Sequence, residues 1–156
     1  MVELYSCPIA KCEIISDSYN MTDMPEIGGF SVQSSSMLDN DPYSETNGDQ
    51  VNNVVKGFSY TKVEYKKKEY ISIFKVYMKK VLAVITKENP DKVPQFKKDA
   101  MAFMKLFMKV KASDIDYYMN ESNNPDGYVP WAYWKDESAS GPLFMYFSYG
   151  LKMKKC

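Results

Sequence analysis

The chain has 156 residues, with 20 Lys balanced by 20 Asp and Glu, and neither Arg nor His. Its length suits one domain (1–156) with a sizeable core, and 45% apolar residues with 8 Phe, 13 Tyr and 2 Trp exclude a disordered chain. The missing histidine excludes Ser–His–Asp and Cys–His catalysis, and no local motif argues for another enzyme chemistry. The missing arginine removes the bidentate base contacts of specific nucleic-acid recognition, leaving lysine contacts to phosphate.

No run is long and apolar enough to suggest a membrane span, and the first residues lack the basic-then-apolar pattern of a signal peptide. The expected compartment is the cytosol. Cys7, Cys12 and Cys156 are too scattered for a structural zinc site. Cys156 is the last residue, so it does not fit a C-terminal prenylation box. It reads either as an idle reduced thiol or as the source of a disulfide-linked dimer of an otherwise monomeric protein.

Residues 2–5 alternate like a strand, Cys7-Pro8 breaks it, and Ile9 to Ile15 form a short second element containing Glu13. By itself Glu13 reads as an ordinary surface carboxylate. Glu26 to Gln33 resembles a hairpin limb with Gly28-Gly29 as turn or bulge. Residues 34–50 are polar, broken by Pro and Gly, and read as a mobile acidic loop. Within it Asp39, Asp41, Glu45 and Asp49 offer hard oxygen ligands. The ligand ladder of an EF-hand is missing, so the expectation is at most a weak calcium site of another kind. Val51 to Tyr60 reads as a strand.

Residues 65–111 carry a helical hairpin. Tyr70, Phe74, Tyr77, Val81 and Ile85 recur at helical spacing, and so do Phe96, Ala100, Phe103, Phe107 and Val110. Asn89-Pro90-Asp91 interrupts them, because proline lacks the amide donor and displaces its predecessor from helical geometry. A short break between amphipathic arms predicts antiparallel packing. The segment holds 13 Lys against 4 acids, whereas residues 1–64 hold 3 Lys against 10 and residues 112–156 hold 4 against 6. Zero net charge thus conceals a polarised chain. The lysines either solvate the outer face of the hairpin or dock it on an acidic surface.

Asp116 to Met119 predicts a strand and Asn120 to Gly127 a turn. Tyr128 to Lys135 alternates, with Val129, Trp131 and Tyr133 on one face. Leu143 to Phe147 is apolar on both faces and predicts a central, covered strand.

Several of these stretches together resemble the translationally controlled tumour protein family. They are Tyr118-Met-Asn-Glu121, Pro125-Asp-Gly127, Pro142-Leu-Phe-Met-Tyr-Phe147, Tyr149-Gly-Leu-Lys152 and Lys155-Cys156. Tyr65-Lys-Lys-Lys-Glu-Tyr70, Phe74 to Lys79, Asn89 to Val93, and Ser16-Asp17 with Tyr19 agree in order and spacing. The resemblance covers nearly the whole chain, with the loop shortened. The family's glycine before Glu121 is Asn120 here, and its loop signature is missing. A family strand corresponds to Asn52-Asn-Val-Val55.

The resemblance implies an α+β fold, a β-tent of small, mostly antiparallel sheets with an inserted antiparallel helical hairpin. This is similar to Rab chaperones and to a class of methionine sulfoxide reductases, whose chemistry does not transfer without a positioned cysteine and histidine. It also implies a non-enzymatic interaction protein associated with tubulin, calcium and Ras-like small GTPases, sometimes exported without a signal peptide. The GTPase contact maps to Glu13 and Glu121, with Lys56 at a third, normally apolar position. The tubulin contact maps to the hairpin, at Lys66, Lys67, Lys68, Lys75, Lys79 and Lys80. The alternatives are a nucleotide-exchange regulator of a Ras-like GTPase and a weak calcium buffer.

Overall fold

The strand Leu143–Phe147 organises the fold, because its alternate side chains serve two different aromatic layers. In the computed structural model, which describes residues 3–7, 12–38, 42–43, 48, 50–134 and 141–155, the chain runs in order through β1 (Glu3–Cys7), β2 (Cys12–Ser16), β3 (Asn20–Met24), β4 (Gly29–Gln33), β5 (Ser36–Leu38) and β6 (Gln50–Asn52). There follow α1 (Asn53–Gly57), β7 (Thr61–Val63), α2 (Lys67–Glu88), α3 (Val93–Lys109), β8 (Ile115–Met119), β9 (Trp131–Tyr133), β10 (Leu143–Phe147) and β11 (Lys152–Lys155). The largest sheet has the order β3-β4-β10-β9-β8-β7, a second is β11-β1-β2, and β5 pairs with β6. Every strand pairing among the described residues is antiparallel. The architecture is α+β, small sheets with a helical hairpin, as expected.

Side chains alternate across a strand, so the large sheet separates two layers. On one side Phe144 and Tyr146 meet Tyr60, Tyr118, Phe30 and Tyr128, with Tyr146 stacked 5.1 Å from Phe30. On the other, Phe147, Trp131 and Tyr117 meet the hairpin, with Phe147 5.3 Å from Phe103 and Trp131 edge-on at 5.0 Å from Phe107. Phe144 to Phe147 are fully buried, which gives β10 the covered, central place that its apolar run predicts. Truncating Phe147 to Ala would cost about 3–5 kcal/mol.

The hairpin forms as its periodicity predicts. Tyr70, Phe74, Tyr77, Val81 and Ile85 are the buried stripe of α2, and Phe96, Ala100, Phe103 and Phe107 that of α3. Phe74 stacks on Phe103 at 5.5 Å and Tyr70 lies 5.2 Å from Phe107. A 3-10 turn over Pro90–Lys92 joins the arms. Among the described residues no helix is long and apolar enough to cross a membrane.

Local chemistry changes two expectations and adds a strand that none foresaw. The stretch after Val51 is not one strand, because α1 starts at Asn53. Asn52 caps it, its Oδ1 accepting from the amides of Val54 (3.0 Å) and Val55 (3.2 Å). The polar β3 pairs at the edge of the large sheet, where little burial is needed. Finally, both ends of the expected 34–50 loop are structured: β5 and β6 pair there, and buried Ser34 donates to the carbonyl of Pro142.

Candidate interaction surface

The hairpin lysines divide by what their ammonium groups touch. Lys68, Lys75 and Lys79 are exposed on the side of α2 opposite its buried stripe, and Lys66 is exposed just ahead of the helix. The Lys66 amide donates to Glu69 Oε1 at 3.0 Å, which closes the first turn of the helix. Lys67 instead spans the hairpin. Its Nζ donates to the carbonyls of Met108 (3.0 Å) and Val110 (2.5 Å), and it lies 5.3 Å from the centre of the Phe107 ring. A cation there satisfies carbonyls that the end of α3 leaves without helical partners and complements the negative end of its dipole. Lys80 pairs with Asp126 at 3.3 Å, linking α2 to the turn after β8. Lys62 pairs with Asp116 at 3.4 Å, and no ion pair among the described residues involves Lys66, Lys68, Lys75 or Lys79.

The two mapped carboxylates sit on different elements. Glu13 is exposed on β2, opposite Ser6, just beyond a bulge in the β1–β2 register. Glu121 is exposed in the turn that follows β8. No direct contact joins them among the described residues; the elements that carry them are linked through Tyr60. The Tyr60 hydroxyl donates to the carbonyl of Ile14 at 2.5 Å, and the Tyr60 ring lies 6.3 Å from Tyr118 on β8. Asn120 then fixes the turn beside Glu121. Fully buried, its amide donates to the carbonyls of Asn124 (2.9 Å) and Tyr128 (3.1 Å), and its oxygen accepts from the Asn124 amide (3.1 Å). Lys56 is half-buried in the last turn of α1. Asp39, Asp41, Glu45, Asp49 and Cys156 lie outside the described residues.

At the far end of the hairpin a groove of about 690 Å³ opens between the end of α2 and residues 148–152. Val81, Val84, Ile85 and Leu151 supply its apolar wall, and Glu88, Lys92 and Lys152 its charges. Beside it the buried Asp99 carboxylate accepts from Tyr149 Oη at 2.6 Å and from Gln95 Nε2 at 2.8 Å. Burial, and then the adjoining Asp99 charge, push the Tyr149 phenol up to about 12. Sequence reasoning missed this cluster and the inward role of Lys67. Both depend on which elements meet, although a lysine in the first turn of one arm of an antiparallel pair was an available signal.

The family model of the translationally controlled tumour protein matches residues 2–152. The chain belongs to the translationally controlled tumour protein family. It is 33% identical to translationally-controlled tumor protein homolog 1 of Dictyostelium discoideum over 92% of each chain. It is 29% identical to the homolog of Schizosaccharomyces pombe over 97% of this chain and 98% of that one. The solved structure of p23fyp from Schizosaccharomyces pombe superposes with a TM-score of 0.80 at 28% identity, with both chains covered in full. The solution structure of the Caenorhabditis elegans protein gives 0.69 at 18% identity, over 100% of this chain and 99% of that one, a likeness of fold alone. Family membership is thus shared by relatives that differ from this chain at two positions in three or more.

Proposed function

We infer that this member of the translationally controlled tumour protein family is a non-enzymatic cytosolic interaction protein whose hairpin docks on an acidic partner, tubulin or the microtubule. The observation that carries the reading is the outward placement of Lys68, Lys75 and Lys79 along one side of α2, with Lys66 exposed just ahead of it. Complementary charge gives such contacts speed and register more than affinity, and salt weakens them. Lys67 and Lys80 stand apart from this surface, because their ammonium groups already serve intramolecular bonds.

The test is microtubule co-sedimentation at low ionic strength with Lys66, Lys68, Lys75 and Lys79 all changed to Glu and Lys67 left in place. The expected result is at least about tenfold less pelleting, with wild-type binding also falling as salt shortens the Debye length to about 8 Å. Undiminished pelleting of the folded variant would overturn the reading.

A second reading rests on the exposure of Glu13 on β2 and of Glu121 in the turn after β8. In it the carboxylates contact a Ras-like small GTPase and speed release of its nucleotide. GDP release measured with equimolar protein tests this; a rate unchanged at saturation excludes it.

A further inference from the structure

Cys7 and Cys12 are five positions apart in sequence, yet the β1–β2 register makes them direct cross-strand partners. Residues opposite each other in an antiparallel pair project from the same face, with Cα atoms roughly 4.5–5.5 Å apart. That interval lies within the roughly 4.4–6.8 Å that a disulfide spans, so the register is compatible with a bridge. Both residues carry thiols here. They differ in access. Cys7 is fully buried, its Sγ accepting from the Tyr128 amide at 3.4 Å, whereas Cys12 is only half-buried at the start of β2. Cys12 is thus the more accessible of the two, and Cys7 lies across the strand pair from it.

We propose that Cys7 and Cys12 form a redox-active dithiol that closes into an intrachain disulfide by exchange with a small-molecule disulfide of the glutathione type. In the first step the Cys12 thiolate attacks one sulfur of the oxidant. A Cys12–glutathione bond forms, the oxidant's S–S bond breaks, and one glutathione thiolate leaves. In the second step the Cys7 thiolate attacks Cys12 Sγ. The Cys7–Cys12 bond forms and the second glutathione leaves as thiolate. The two cysteines lose two electrons and two protons, and the oxidant, as two thiols, gains them. The closed ring ties β1 to β2 beside Glu13, so the redox state sets how tightly the strand carrying that carboxylate is held.

The experiment uses the full chain with Cys156→Ser, which removes the third thiol. The folded protein is incubated with oxidised glutathione, quenched in acid, alkylated, and mapped by mass spectrometry without reduction. The expected product has no alkylatable thiol, carries no glutathione, contains a linked Cys7–Cys12 peptide, and returns to two thiols with dithiothreitol. Adding Cys7→Ser is expected to arrest the reaction at a stable Cys12–glutathione adduct. If that buried substitution prevents folding, the linked peptide from the Cys156→Ser protein decides by itself. Two thiols left unreacted, or a glutathione adduct that persists on Cys12 with Cys7 present, would overturn the proposal.

Discussion

The two ends of the helical hairpin are built differently. At its base, Lys67 closes the end of α3, the Tyr70 hydroxyl donates to the carbonyl of Val129 at 2.6 Å, and Tyr70, Phe107 and Tyr117 pack ring against ring. At its tip the groove lies open, Val84 is 45% exposed, and the buried carboxylate of Asp99 holds the Tyr149 hydroxyl. Between them Tyr77 is buried, but its hydroxyl finds no partner among the described residues. The base is tied by the Lys67 and Tyr70 hydrogen bonds over an aromatic layer in which the Tyr117 hydroxyl and Trp131 Nε1 find no partner among the described residues, and the tip by a few polar links around a hollow. The contrast teaches that the base is tied by direct polar bonds across the hairpin, whereas the tip combines the packing of Phe96 on Phe147 and Tyr149 with an open groove.

Among changes within the hairpin and its tip, the largest expected effect tests where the tip does touch. A Cβ at Gly150 would overlap Tyr77 Oη and approach Val81 Cγ2 to 2.9 Å. Gly150→Ala should therefore cost about 2–3 kcal/mol in denaturant unfolding. Tyr77→Phe in the same chain should recover part of that loss, because it removes the Oη overlap while Tyr77 Cζ (2.7 Å) and Val81 Cγ2 (2.9 Å) remain. Additive losses would show that the tip is not closed there.

At the base, Tyr70→Phe leaves the buried Val129 carbonyl without its donor and should cost about 1–2 kcal/mol. Lys67→Met keeps most of the packing but removes the cation at the end of α3. A loss of about 1 kcal/mol is expected, measured by the same unfolding. A loss near zero in either would remove the distinction between base and tip.

Alkaline pH should loosen the tip through Tyr149. Its folded pKa of about 12 lies above the ordinary 10.0, so its stabilising link is complete below pH 10.0 and is lost as pH rises through about 12. Unfolding followed across that interval should give a shallower decline for Tyr149→Phe than for the wild type. The smallest effect is expected from Tyr77→Phe alone, within about 0.5 kcal/mol of wild type, since the hydroxyl removed makes no hydrogen bond.

The hairpin was legible because Tyr70 to Ile85 and Phe96 to Phe107 repeat at the helical period over many turns, and β10 because five apolar residues in a row suit a strand covered on both faces. The stretch from Val51 was ambiguous: Val54 and Phe58 stand four apart, which also fits one helical turn, and Asn52 decided for the helix by capping it. Asn20 to Met24 could not be read as a strand, since an edge position neither requires nor produces apolar alternation. For the candidate surface, the excess of lysine was visible in the sequence, but its division was not. Whether a lysine reaches solvent or the carbonyls of Met108 and Val110 depends on the neighbouring arm. Cys7 and Cys12 likewise look scattered until the strand register sets them face to face.

The place of β10 between β4 and β9 also bears on how the molecule is made. Strands β3 and β4 emerge from the ribosome early, yet their neighbour in the large sheet is synthesised more than a hundred residues later. β1 waits longer still for β11. Closing such long stretches of chain is slow compared with helix formation. The hairpin arms can coil while translation continues, but the aromatic layers they cover can be sealed only after residue 147 has cleared the exit tunnel.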